Sequence, residues 1–204
     1  MITLLTRTLA ACAVMLLGAC ASKGPTPAHF DFGPMPASAH TTPAPAHPLA
    51  AIVVADVSGP AALDSERMQY RLLYADARQA RPYAYNHWSG TPLQLLTQRL
   101  KGRFAQAGVK VLAVTDAAAS LPLLRIEAED FSQEFDSASS SHGRISVRAS
   151  LFRGHLLLDQ RSFSRSRPAP SADAAGGAQA LAEASDALSA DLLAWLASLP
   201  LAQE

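Results

Sequence analysis

The chain has 204 residues and carries 17 basic and 17 acidic side chains, so its formal net charge at pH 7 is zero. That balance excludes the basic excess typical of nucleic-acid-binding proteins, and no nucleic acid is expected as a partner. The sequence has two cysteines, Cys12 and Cys20, which excludes a disulfide-rich scaffold and a cysteine-based metal site.

The N-terminus has the pattern of a secretory signal. Arg7 supplies a basic start, an apolar run covers residues 8–17, and the small residues of Leu17-Gly18-Ala19 precede Cys20. The apolar run is too short to cross a bilayer, which takes about 20 residues. Small residues before a cysteine resemble the lipobox of bacterial lipoproteins. We therefore predict a signal peptide at 1–19 and acylation of Cys20, with palmitate among the chains; an uncleaved anchor is the alternative.

Two neighbouring features refine the predicted anchor. A second lipobox-like sequence ends at Cys12, but it leaves too few residues for a charged start and an apolar core, so Cys20 is favoured. The residue after Cys20 is Ala21, where lipoproteins retained at the inner membrane usually have Asp. This indicates an outer-membrane lipoprotein on the periplasmic side.

Residues 20–48 have the composition of a tether. Seven prolines stand among small polar residues, and such a stretch favours extended conformations over a packed core. Within it, His29 to Pro34 form an apolar island. The island is either part of a solvated tether or docks onto the domain that follows.

Residues 49–200 are predicted to form one domain. Apolar runs and alternation with a period of two predict strands at 49–57, 68–74, 81–88, 109–114, 121–135, 144–153 and 156–165. Helices are predicted from Thr91-Pro92 to Gly108 and over 171–199, where apolar residues recur three and four apart. The element order predicts an α+β fold, a two-layer domain in which a mostly antiparallel sheet has two helices packed on one face. A half barrel is the alternative.

The alternation also predicts one contact across the sheet. Arg148 belongs to the polar face of its strand, and Glu127 and Glu129 to the polar face of the preceding strand. In register, one of the two glutamates should lie beside Arg148.

The sequence contains none of the common catalytic or nucleotide-binding motifs, so no enzyme activity, cofactor or metal is expected. The serines of residues 137–141 precede His142, but neighbours on a turn are not a preorganised nucleophile and base. The acidic residues between 127 and 136 lack the spacing of a calcium loop. Gly176-Gly177 is interpreted as a turn before the last helix.

Three aromatic residues flank the start of the first long helix: Tyr70, Tyr85 and Trp88. Core packing is one explanation. The other is that Tyr70, Arg71 and Trp88 form a partner-binding surface, since large aromatics and arginine dominate protein contacts.

Short motifs in a fixed order resemble a known family. They are Phe30-Asp31-Phe32-Gly33, Leu63-Asp64, Met68-Gln69-Tyr70-Arg71, Tyr85-Asn86-His87-Trp88 and a C-terminal helix with Trp195. The sequence is similar to the ABC-type transport auxiliary lipoproteins, whose best-known type is the paraquat-inducible protein C lipoprotein.

The resemblance implies that the protein is a non-catalytic accessory component. Such a lipoprotein accompanies an ABC transporter permease and ATPase and an MCE-domain protein, and helps lipid transport between two membranes. A homo-oligomer, arranged as a ring around the MCE-protein channel, is expected on the same basis. The alternative is an envelope scaffold that binds or activates a cell-wall or outer-membrane assembly enzyme.

Overall fold

The structure, a computed structural model, describes residues 26–36, 49–116 and 121–200. The strands in that part of the chain are β1 Ala28–Phe30, β2 Ala51–Val54, β3 Arg67–Leu72, β4 Ala77–Trp88, β5 Lys110–Leu112, β6 Leu123–Ser137, β7 Ser140–Arg153 and β8 Leu156–Pro168. The helices are α1 Leu73–Asp76, α2 Pro92–Gln106 and α3 Ala174–Ser198. The predicted signal peptide and Cys20 lie outside the described residues.

The eight strands form one sheet that divides around its longest strand, β6. One side of β6 is paired along its whole length with β7, which in turn pairs with β8. The other side is shared: β2 pairs with the start of β6 and continues to β5, whereas β3 pairs with its end and continues to β4 and β1. The long ladders are antiparallel and the short ones parallel. The predicted α+β fold is confirmed.

The predicted faces of the two central strands are confirmed. In β7, alternate residues have no exposed surface: Ile145, Val147, Ala149 and Leu151. Arg148 lies on the other face, directly opposite Glu127, and its Nη2 is 2.5 Å from the glutamate Oε2. In β6 the register shifts between Ala128 and Asp130, so the apolar residues buried after this bulge, Phe131 and Phe135, are odd-numbered, whereas those before it are even-numbered.

Helix α2 begins and ends as the sequence predicts. Thr91 forms a capping box with Gln94, and Pro92 occupies the first helical position. Gly108 follows the helix with a φ of +85°, which a residue with a side chain rarely adopts. The apolar face buries Leu96, Leu100 and Phe104 against the sheet and α3.

Helix α3 lies close against β7 and β8. A Cβ added to Gly143 of β7 would come within 2.7 Å of the Leu181 backbone nitrogen, so the absence of a side chain there permits this approach. The prediction that Gly176-Gly177 is a turn is wrong, because both glycines lie within α3, after the N-cap Asp173. A Cβ added to Gly176 would lie 2.1 Å from the Ser171 carbonyl oxygen, and one added to Gly177 would lie 2.1 Å from Gln133 Oε1. The start of the helix therefore packs too closely for larger side chains at these two positions.

The N-terminal segment docks onto the domain. Strand β1 pairs in parallel with the end of β4, placing Phe30 opposite Trp88. Phe32 is buried, with its ring centroid 5.9 Å from those of both Trp88 and Phe131. Of the two alternatives for the apolar island, docking is therefore the one that the structure shows, and residues 28–36 pack as part of the domain.

The second predicted strand ends earlier than its alternation indicates. β3 stops at Leu72, and α1 reverses the chain into β4, so Tyr74 is 54% exposed instead of continuing the buried face. Within the described residues, no helix is both long and apolar enough to span a bilayer.

Candidate functional site: docked segment and exposed hairpin

The structure places Trp88 in the core, 2% exposed. Its ring makes edge contacts with Phe32 and Phe131 at centroid separations of 5.9 and 5.6 Å. The hypothesis that Trp88 reaches the surface to contact a partner is therefore wrong, and the core-packing explanation holds for this residue. The physical reason is that the docked N-terminal segment covers the ring.

Tyr70 and Arg71 lie apart from Trp88, further along the β3–β4 hairpin. Tyr70 is half-buried, with its ring 4.6 Å from that of Tyr83 and 5.7 Å from that of Phe135. Arg71 donates from Nη1 to the Ala77 carbonyl at 3.2 Å, which ties the two arms of the hairpin together. The three predicted partner-binding residues therefore do not form one surface.

The exposed aromatic side chains of this region are not the predicted partner-binding residues. Tyr74 and Tyr85 are 54% and 50% exposed. The apolar–polar alternation of residues 68–74 does not continue at Ala75-Asp76, and this break indicates that the strand ends near Tyr74. Because β1 covers β4 only from Asn86 to Trp88, the preceding part of β4 is an edge that pairs only with β3 in the described chain.

A buried ionic cluster fastens the N-terminal segment to both long helices. Arg99 of α2, whose side chain is 5% exposed, donates to Asp186 of α3 from Nε at 2.6 Å and from Nη2 at 2.8 Å. Arg103 also binds Asp186 through two nitrogens. Arg99 reaches the Gly33 carbonyl with Nη1 at 3.2 Å. We call these three side chains the Asp186 clamp.

The charge of the clamp follows from its contacts. Burial alone would raise the pKa of Asp186, but hydrogen bonds from Arg103 and Arg99 outweigh it and hold that pKa below its ordinary value. The contact with Asp186 in turn raises the pKa of Arg103. Asp186 is therefore ionised at neutral pH, and the cluster carries one net positive charge beside the docked segment.

A second buried network joins the hairpin to the start of α3. Gln133, 1% exposed, accepts a hydrogen bond from the Tyr83 hydroxyl at 2.8 Å and donates to Ser141 Oγ at 2.8 Å and to the Asp173 carbonyl at 3.0 Å. Burial raises the pKa of Tyr83, so its hydroxyl stays protonated and can donate. All of the network's polar groups are satisfied, which is the arrangement of a structural core.

The serine-rich turn does not form a catalytic pair. His142 contacts Asp136 through Nδ1 and Glu134 through Nε2, both at 3.0 Å, so neither ring nitrogen is directed at a serine. Among residues 26–36, 49–116 and 121–200, no group of three or more His, Cys, Asp or Glu side chains is arranged to hold a metal ion.

An open groove of about 720 Å³ lies beside the first half of α2. Its lining is mixed, and its charged pair is Lys101 with Asp56, at 2.7 Å between Nζ and Oδ1. Asp56 is highly exposed, so the groove offers a wet surface and not a water-excluded pocket for chemistry.

Comparison with known proteins identifies the family. Residues 33–192 match the family model described as the ABC-type transport auxiliary lipoprotein component. No curated protein matches the chain. The fold is similar to the crystal structure of protein XCC0632 from Xanthomonas campestris, of family DUF330, with a TM-score of 0.65, 21% identity, and coverage of 84% of this chain and 92% of that one.

Two further structures share the fold. An uncharacterized protein gives a TM-score of 0.66 at 17% identity, over 84% of this chain and 99% of that one. The hypothetical protein CT253 from Chlamydia trachomatis gives 0.50 at 8% identity, over 76% of this chain and 99% of that one. At these identities the likeness shows the fold alone.

Proposed function

The chain belongs to the ABC-type transport auxiliary lipoprotein family, and we propose that it is a non-catalytic accessory of a transporter that moves lipid between two envelope membranes. The family associates it with an ABC transporter system and makes it a membrane-anchored envelope lipoprotein. The proposed partners are the permease and ATPase of that system and an MCE-domain protein. The observation that carries the proposal is the family match over residues 33–192.

The packing of the domain supports a role in contacts between proteins. In the described part of the chain, every buried side-chain nitrogen and oxygen has a hydrogen-bond partner. An active site commonly keeps polar groups unpaired or water-excluded for its substrate. The surface available for contacts includes the edges of β8 and of β4 before Asn86, which are unpaired among the described strands.

The anchor is proposed at Cys20, in the outer membrane and facing the periplasm. Several acyl chains on one residue hold a protein firmly where a single chain does not. Cys20→Ala is expected to release the protein from the membrane or leave it unprocessed, whereas Cys12→Ala, within the proposed signal peptide, should leave anchoring unchanged. Membrane fractionation and intact-mass measurement check both variants. An unmodified Cys20 in the mature protein would contradict the anchor.

A homo-oligomer, with copies arranged around the end of an MCE-protein channel, is part of the proposal. Two open edges support it. Strand β8 is 13 residues long and pairs only with β7 among the described strands, and β4 has a free edge before Asn86. Unpaired edges of this length are commonly covered by another chain. Light scattering of the intact mature protein in detergent should give a mass several times that of one copy.

Co-purification decides between the proposal and its alternative. The full lipidated protein, tagged at its C-terminus, should retain the MCE-domain protein and the transporter after membrane solubilisation. A Cys20→Ala strain controls for capture that does not need the membrane. Retention of a peptidoglycan synthase instead, with no transporter component, would favour the envelope scaffold.

A further inference from the structure

The docked N-terminal segment fixes where the chain leaves the domain toward its proposed anchor. Strand β1 is parallel to β4, with Ala28 opposite Asn86 and Phe30 opposite Trp88. Going from Ala28 toward the N-terminus therefore corresponds to going from Asn86 toward the start of β4. The start of β4 is the closed end of the β3–β4 hairpin, so the chain leaves the domain in the direction of that end.

The length of the connection matches the position of the hairpin. Eight residue steps separate Cys20 from Ala28, and a chain of that length spans at most about 29 Å. From the level of Ala28, strand β3 runs about five more residues to its end, from Arg67 to Leu72. The closed end of the hairpin is therefore roughly 17 Å beyond Ala28. A bilayer that holds Cys20 is therefore within reach of the hairpin. The segment that joins the proposed anchor to the docked strand is then residues 20–27, the first part of the predicted tether.

We call residues 71–81 the hairpin end, and its exposed chemistry is that of a membrane-interface segment. Tyr74 is about half exposed, and tyrosine is enriched where a protein meets lipid headgroups. The cations are Arg71, Arg78 and Arg81, and the one carboxylate is Asp76, which Arg78 contacts at 3.2 Å. The net charge of the segment is positive, as an anionic phospholipid surface requires.

From these observations we propose that the hairpin end lies against the headgroups of the membrane that carries the lipid anchor. The proposal rests on the proposed acylation of Cys20. The anchor and the hairpin together give two attachment points, which orient the sheet relative to the bilayer. The β7–β8 turn lies at the opposite end of the sheet, because Leu123 pairs with Phe152 there while Phe135 pairs with Leu72 at the hairpin end.

Those two ends are separated by 12 residues of β6, about 40 Å, and this distance makes the orientation measurable. The mature lipoprotein would have no thiol other than the acylated Cys20, so a new cysteine gives a unique label site. Tyr74→Cys reports on the hairpin end, and Tyr85→Cys reports on the level of Ala28, roughly 17 Å farther along the sheet. Leu156→Cys, at a residue that is 66% exposed, is the matched control at the far end.

Each variant is purified as the lipidated full mature chain, reconstituted into vesicles of phosphatidylethanolamine and phosphatidylglycerol, and labelled with an environment-sensitive fluorophore. Lipids with a quencher at headgroup depth should quench the label at 74 several-fold more than the label at 156, and the label at 85 to an intermediate degree. The double substitution Arg78→Glu/Arg81→Glu should reduce quenching at 74, and Arg153→Glu, near the far turn, should not. Higher salt should weaken the contact in the same direction.

The outcomes separate this inference from the proposed function. The intact mass of each preparation is measured first, and an unmodified Cys20 would overturn the anchor and this orientation together. A lipidated protein whose three labels are quenched equally would overturn the orientation alone. A label at 74 that is shielded only after the MCE-domain protein is added would overturn it too, and would assign the hairpin end to a protein partner.

Discussion

Replacing Asp186 with asparagine tests whether the Asp186 clamp holds the N-terminal segment and the two long helices together. The substitution keeps the shape of the side chain but removes the charge that faces two guanidinium groups. Arg99 is the critical partner, because its side chain is 5% exposed and two of its nitrogens donate to Asp186. After the substitution, water has little access to solvate the unpaired Arg99 guanidinium group.

The expected magnitude follows from this burial. Removing one partner of a buried ion pair costs about 3–5 kcal/mol, because the remaining charge is left uncompensated. Asp186 is 22% exposed, and Arg99 keeps its hydrogen bond to the Gly33 carbonyl, so the lower end applies. We expect Asp186→Asn to lower the free energy of unfolding by about 3 kcal/mol. The control is Asp56→Asn, which breaks a pair whose carboxylate is 85% exposed and should cost at most about 1 kcal/mol.

Urea unfolding of the mature protein at several pH values is the assay. The pKa of Asp186 is lowered in the folded state, so its stabilising effect is fully present above the unfolded value of about 3.9 and is lost as the pH falls through the lower folded value. The difference between wild type and Asp186→Asn should therefore be constant near neutral pH and shrink below pH about 4. A cost no larger than that of Asp56→Asn, or a difference that does not depend on acid, would refute the reasoning.

Three further substitutions test the packing. Trp88→Ala should cost about 3–5 kcal/mol in thermal or urea unfolding, because it empties the space between the docked segment and β6, whereas a surface role would leave stability unchanged. Gly177→Ala should cost about 2–3 kcal/mol, since its Cβ would lie 2.1 Å from Gln133 Oε1, and normal stability would show that this glutamine can move. Arg148→Ala should leave the melting temperature nearly unchanged, because its pair with Glu127 is exposed; a large fall would contradict that assignment.

The features that could be predicted from the sequence are those determined by residues close together along the chain. The buried face of β7 follows from its own alternation, and the start of α2 follows from Thr91-Pro92. Even the pairing of Arg148 with Glu127 needed only two adjacent strands. The shift in β6 at Glu129 was missed because a bulge changes the face of every later residue without altering the composition of the strand.

Contacts between distant segments were not predictable from periodicity. Arg99 and Asp186 are 87 residues apart, and nothing near either one shows that they meet. The four-residue spacing of Arg99 and Arg103 beside the apolar stripe of α2 was the available signal, because it places two cations on one helix face. The burial of Trp88 likewise depends on Phe32, which comes from a segment with the composition of a tether.

Gly143 offers the sharpest test of how α3 meets the sheet. A Cβ at this position would lie 2.7 Å from the Leu181 nitrogen and 2.9 Å from the Ala180 carbonyl carbon, both backbone atoms that cannot rotate away. Gly143→Ala must therefore move α3 outward or bend β7, and we expect a loss of at least about 2–3 kcal/mol. Gly90→Ala is the matched control, because its Cβ would approach only the ends of flexible side chains, Gln94 Oε1 at 3.2 Å and Leu95 Cδ2 at 4.0 Å. Urea unfolding should separate the two variants clearly. If Gly143→Ala were as stable as Gly90→Ala, α3 would be packed less closely against β7 than the structure shows. The small residues of α3 would then not be explained by close packing.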